Sequence, residues 1–305
     1  VPFTADNLFP IGSNTKLHIA VAIYQMQEMG LLHVEDAVND YMPPDMAEFG
    51  TPGPWRPQVP GVWDPTCQRP TLVNLMEMSS GLKEPFICDD SGKIIVSILL
   101  DAYSGHISDY LGLWINAPMN FVPGTEYHYE TGNWILLAYI IERISGQSLS
   151  AYLQENIYQY ATPDVDNDII YDPYGGAHAL LPRRMDSYRK FIDSDSGAEI
   201  ATGSCTPYIQ PGVVSGAGGS FATIAAEMDL YRILFHSTPL GGPIISEDSV
   251  REIMKPRKEM APGTAAPWFA QGLTVLPSPE GGDVPKAVLY CGGIECTNTC
   301  ILSLT

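Results

Sequence analysis

Three Ser-x-x-Lys spacings occur in this chain of 305 residues: Ser13 with Lys16, Ser80 with Lys83, and Ser187 with Lys190. The pairing matters because a serine hydroxyl is a poor nucleophile until a neighbouring base takes its proton. A lysine amine can be that base where burial or a nearby cation disfavours its ammonium form. The surroundings separate the three pairs. Behind Ser13 runs NTKLHIAVAIYQMQEMG, apolar at Leu17, Ile19, Ala20, Val21, Ala22, Ile23, Tyr24 and Met26, without proline and stopped at Gly30. Apolar residues almost all round predict a core helix over 14–29. Ser13 and Lys16 then share one face of its first turn, where the helix's positive end disfavours an ammonium further. Ser80 lies instead in the turn-like MSSGLKEP and Ser187 in the polar PRRMDSYRKFIDSD.

The elements that must hold this pair are readable in outline. Residues 43–70 are rich in proline and glycine and predict a long surface loop. Helical patterns follow at about 71–79, 93–104 and 133–160, the last breaking near Gly146. The polar stretch 161–212 predicts loops or an insertion. Further helices are expected over 221–236, after the turn SGAGGS, and over 246–254. The end, from FAQGLTVL onward, alternates and carries β-branched residues, which predicts two or three antiparallel strands with a loop at 277–285. The expected class is α+β: an antiparallel sheet flanked by helices, plus a mainly helical lobe. One domain is expected over 1–305, its helical lobe at about 40–212 and its sheet side at 1–39 and 213–305.

Composition bounds the partners. The chain is 45% hydrophobic and 17% charged, which is globular, and its formal net charge is −19. That charge argues against nucleic acid, whose phosphates need Lys and Arg, and against anionic membrane surfaces. Apolar runs such as WILLAYII at 134–141 fall far short of a membrane span. DVDNDIIYD at 164–172 resembles the start of a calcium loop, but Ile169 stands where that loop needs Gly and Gly175 where it needs Glu. The six cysteines form no Cys-x-x-Cys pair, which disfavours a zinc ribbon, so neither metal nor cofactor is expected. An even cysteine count and low lysine content suit a secreted or extracellular protein with disulfides, their pairing left open.

Five segments together resemble the serine β-lactamase and penicillin-binding-protein superfamily, in particular its class C β-lactamase, D-alanyl-D-alanine carboxypeptidase and esterase branch. LFPIGSNTK is similar to the nucleophile segment, and GLLHVEDAVNDYMP to its continuation. LMEMSSGL resembles LLSHTSGL, with Met78 where histidine is common. PGTEYHYETGNWILLAYIIERISGQSL matches PGTxFxYSNTNYxLLGxIIExVSGxS, and SGAGGSFATIAAEMDLYRILF resembles PAGGLYSTAADLARF. The segments keep the family's order. The resemblance implies a small-molecule or short-peptide substrate, with Ser13 as nucleophile forming an acyl-enzyme, Lys16 accepting its proton and Tyr129 sharing that work. It also implies an oxyanion held between the backbone N–H of Ser13 and one from the third motif.

Two motifs depart from the pattern. Tyr-x-Asn is here Tyr129-Glu130-Thr131, which puts a threonine hydroxyl where an amide belongs and adds a charge at Glu130. Asn133 is two residues on, and its spacing places it on the following helix. The third motif is normally Lys or His, then Thr or Ser, then Gly. Tyr290, Cys291, Gly292 and Gly293 stand there, with Gly293 where the second oxyanion N–H would come from. Loss of the cation favours neutral esters, lactones or amides over β-lactams. With 12 residues before Ser13 and 12 after Gly293, the chain is shorter than the family at both ends, so a smaller sheet or a fragment of a longer protein is expected. Two functions follow: an active serine hydrolase or acyltransferase, and a non-catalytic relative used for binding or assembly.

Overall fold

The computed structural model describes residues 4–47, 53–57, 69–84, 111–112, 114–161, 168–171, 188–192, 199–204, 215–263, 267–278, 285–294 and 297–304. The helix predicted behind Ser13 is α1 (Thr15–Glu28), entered through a 3-10 turn at Gly12–Asn14. Its residues from Thr15 to Met26 are all buried, as an almost wholly apolar helix requires. Five antiparallel strands form the larger sheet, in the order β10 (Thr297–Leu304), β9 (Ala287–Ile294), β8 (Thr274–Leu276), β7 (Trp268–Phe269) and β6 (Lys258–Glu259). A smaller sheet joins β1 (Phe9–Pro10), β5 (Ser220–Ala222) and β2 (Ile169–Tyr171) just ahead of the 3-10 turn.

Further helices complete the α+β arrangement. α2 (Leu72–Met76) begins at a capping box in which Thr71 and Asn74 exchange side-chain and backbone hydrogen bonds. It is shorter than the 71–79 expected, because the chain reverses at Met78, whose φ is 62°. α3 (Thr131–Ser145) ends at Gly146 in the left-handed conformation, the break its glycine predicted. α4 (Leu149–Leu153) continues through a wider turn to Ala161. α5 (Ile224–His236) and α6 (Glu247–Met254) are capped by the side chains of Thr223 and Ser246.

Two expectations need correction. The 161–212 stretch carries β2 and the hairpin β3 (Tyr188–Ile192) with β4 (Glu199–Ser204), where loops were expected. β2 pairs with β5, some fifty residues on, and local pattern cannot reveal so distant a partner. The 221–236 segment opens as a strand, because Thr223 sets the helix start at Ile224. The antiparallel strands expected from Phe269 onward are β8, β9 and β10, and β6 and β7, two residues each, extend their sheet from the preceding segment. The expected helix at 93–104, the calcium-like residues 164–167, Ser187, Cys67, Cys88, Cys205 and Cys296 lie outside the described residues.

Candidate active site

Ser13 sits in the 3-10 turn and Lys16 in the first turn of α1. The Lys16 ammonium donates to Ser13 Oγ at 2.9 Å and to the carbonyl of Ala217 at 2.6 Å. Only 1% of Lys16 is exposed, so the core fixes its long stem and directs its head to these acceptors. The second acceptor belongs to the SGAGGS turn, which lies tight against α3. A Cβ added at Gly216, whose φ is 74°, would stand 2.3 Å from the Trp134 carbonyl oxygen.

Tyr129 reaches the same serine from the segment before α3. Its hydroxyl lies 2.7 Å from Ser13 Oγ and 3.4 Å from the hydroxyl of Tyr290 on β9, and Lys16 Nζ is 5.1 Å from its ring centroid. Buried Phe269 packs edge-on against Tyr129 and Tyr290, each at 6.2 Å between centroids, and so holds the two phenols. Burial alone would raise the Tyr129 phenol, but the positive charge of Lys16 and hydrogen bonds from Lys16, Ser13 and Tyr290 bring it below its ordinary value. Tyr290 moves the other way: burial, then the adjoining Tyr129, push it well above the ordinary phenol value. Two phenols in contact with opposite shifts are suited to divide labour, one exchanging its proton and the other keeping it.

In the rest of the second motif, it is Glu130 that departs from the sequence expectation, while Asn133 lies on the following helix as its spacing predicts. Thr131 opens α3, and its backbone N–H donates to Glu84 Oε2 at 2.6 Å. Glu130 turns inward, 1% exposed, with Oε1 2.5 Å from His128 Nδ1 and its N–H on Met78 Sδ at 3.3 Å. Desolvation and the adjoining Glu84 carboxyl raise it to about 9, so at neutral pH it is an uncharged acid. The charge expected at Glu130 is absent, because burial beside a second carboxyl disfavours it. Asn133 is buried within α3, donating to the Leu75 carbonyl and accepting from Ser80 Oγ at 2.6 Å. That contact engages the hydroxyl of Ser80, which is itself buried.

In the third motif the strand's register decides what each residue offers. Cys291 pairs with Cys300 across β9 and β10, and a disulfide joins them with their Cα atoms 4.1 Å apart. So close a pair is a non-hydrogen-bonded one, and Gly293, two residues on, shares its phase. Gly293 therefore directs its N–H away from β10, along the edge that β8, pairing only as far as Leu289, leaves open. Gly292 faces the nucleophile turn: a Cβ there would stand 1.9 Å from the Ile11 carbonyl oxygen and 2.8 Å from Ser13 N. Cys291, expected among the substrate-binding residues, has its sulfur in the disulfide and offers no thiol.

Ser13, Lys16, Tyr129 and Tyr290 thus meet at one point, with Gly292 against it. Sequence reasoning missed Phe269, Glu84 and Ala217. Phe269 and Glu84 carried no signal at all, whereas the glycine-rich turn at Ala217 was visible without a role.

With this geometry in view, the chain is placed by comparison. It belongs to the β-lactamase family, whose model matches residues 1–293. PbpX of Bacillus subtilis (strain 168), provisionally named a penicillin-binding protein, is 26% identical over 251 residues, covering 81% of this chain and 50% of PbpX. Esterase EstB of Burkholderia gladioli is 26% identical over 162 residues, covering 52% of this chain and 38% of EstB. The chain thus spans half or less of the length of these relatives. In fold it is similar to a D-stereospecific amidohydrolase from Streptomyces sp., with a TM-score of 0.71 at 15% identity, covering 98% of this chain and 79% of that one.

Proposed function

We propose that the chain is a serine hydrolase or acyltransferase working through an acyl-enzyme on esters, lactones or amides. The observation that carries this reading is the position of Ser13 Oγ, 2.7 Å from the Tyr129 hydroxyl and 2.9 Å from Lys16 Nζ. Ser13 Oγ attacks the carbonyl carbon as its proton passes to the Tyr129–Lys16 pair. The carbonyl π electrons move to oxygen, and the backbone N–H groups of Ser13 and Gly293 stabilise that oxyanion. Collapse breaks the bond to the leaving group, which departs with the proton held by Tyr129, and acyl-Ser13 remains. Water, or an acceptor alcohol or amine, then attacks the acyl carbon while Tyr129 takes its proton, and the second tetrahedral species collapses by breaking its bond to Ser13 Oγ, which regains that proton from Tyr129.

Thr131, Tyr290 and the Cys291–Cys300 edge would line the substrate. With a neutral phenol at Tyr290, a neutral ester is a better match than a β-lactam, and the relationship to an esterase agrees. The second reading, a non-catalytic relative, has the altered second and third motifs in its favour. Intact-mass spectrometry after incubation with a fluorophosphonate separates the two, since phosphonylation with loss of fluoride needs an activated serine. One adduct is expected on the wild type and on Ser80→Ala and Ser187→Ala, and none on Ser13→Ala. An unlabelled wild type, or labelling that survives Ser13→Ala, overturns the assignment.

A further inference from the structure

We propose that Glu130 and Glu84 share one proton across the start of α3 and act as positioning residues for Tyr129, giving the site an alkaline limit. The inference deepens the function proposed above and rests on it for the role of Tyr129. Its starting point is a donor count. Glu130 Oε1 has His128 Nδ1, but Glu130 Oε2 is buried and finds no donor among the described residues. Its neighbour is the Glu84 carboxyl, which already accepts the Thr131 N–H at 2.6 Å. Two ionised carboxylates are acceptors only, so their contact needs a proton.

With that proton on Glu130, every group has a partner. His128 Nδ1–H donates to Glu130 Oε1, Glu130 O–H donates to Glu84, and Glu84 accepts from Thr131. The remaining negative charge rests on Glu84 at the positive end of α3, where an anion is favoured. Among the described residues, the groups facing Glu130 are His128 on its own segment and Glu84 from the loop after Gly81, with the Met78 sulfur contributed by the 77–79 turn. Glu77 of that turn is directed to Ser79 and Lys258 instead. These contacts pin residues 128–131 on both sides of Tyr129. Removing the proton puts two like charges together in a desolvated place and should force this segment apart.

The sign follows from the raised value of Glu130. Between its ordinary value near 4.5 and about 9 the folded state holds a proton that the unfolded state releases, so its stabilising contribution falls with rising pH and is gone above about 9. Glu130→Gln tests this, because an amide keeps both hydrogen bonds and cannot ionise. Two readouts are needed: thermal melting from pH 5 to 10, and kcat for p-nitrophenyl acetate corrected for spontaneous hydrolysis. The wild type should lose stability relative to Glu130→Gln as pH rises, and the kcat ratio of variant to wild type should climb about tenfold from pH 8 to 10. Glu84→Gln supplies an N–H donor to Glu130 and removes the like charge, so Glu130 ionises without repulsion and the alkaline loss should shrink. Parallel melting profiles for wild type and Glu130→Gln overturn the shared proton. A diverging melt with a flat kcat ratio overturns the positioning role. If Ser13 proves inert, the positioning role falls with the proposed function, while the melting profiles still decide the proton.

Discussion

A phenol is ordinarily too weak an acid to be ionised near neutrality, where only the phenolate could take a proton, and at Tyr129 three neighbours favour that phenolate. Lys16 supplies positive charge, and Ser13 and Tyr290 supply hydrogen bonds, against a burial that acts the other way. The most informative change is therefore at Tyr290, which lies 3.4 Å from Tyr129 and leaves Ser13 and Lys16 untouched. Tyr290→Phe removes one hydrogen bond that lowers Tyr129, worth about 1 kcal/mol, or ~0.7 of a pH unit. The acid limb of kcat/KM should accordingly move upward in pH by about that amount. A pH–rate profile with neutral substrate reads it. A limb that stays in place, or moves down, would show that Tyr129 is not the group titrating.

At the scale of elements, the site is made where a strand lies against a turn. Gly292 lets β9 approach the 3-10 turn so closely that a single methyl group would collide with backbone at Ile11 and Ser13. Backbone atoms cannot step aside as side chains do, so Gly292→Ala must push β9 off the nucleophile turn. We expect fluorophosphonate labelling of Ser13 to fall by about tenfold or more, for an oxyanion donor moved by even ~1 Å loses most of its effect. Folded protein, verified by circular dichroism, that labels at the wild-type rate would refute this account of the glycine. Much of this level was legible beforehand. The apolar run after Ser13 and the break at Gly146 are local patterns, and the chain obeys them. β2, Phe269 and Glu84 were not, because each acts through contacts distant in sequence. Glu130 was misread for the same reason. An acidic residue in sequence reads as a charge, and only the packing of Glu84 and Met78 around it makes it neutral.

The molecule as a whole carries a formal charge of −19, and this field acts on any charged substrate before it reaches Ser13. A Lys or His in the third motif, which the family resemblance leads one to expect, could hold a substrate carboxylate against such a field. Tyr290 supplies none, and Lys16 is already committed to Ser13 and Ala217. The neutral state of Glu130 removes one repulsive charge from the sequence-based picture, but the single charge it shares with Glu84 remains beside Thr131. An exposed like charge at contact distance costs on the order of 1 kcal/mol in water, and salt screens it over about 8–10 Å. Benzylpenicillin, an anion, should therefore be turned over far more slowly than p-nitrophenyl acetate at low ionic strength. Its kcat/KM should rise with added salt, while that of the neutral ester stays flat. Steady-state rates for both substrates from low to high salt decide the matter. A β-lactam turned over better than the ester, with a rate that falls as salt is added, would mean that a cation elsewhere, such as Arg183 or Arg184 outside the described residues, takes up the carboxylate. Tyr290 would then not set the charge preference of the site.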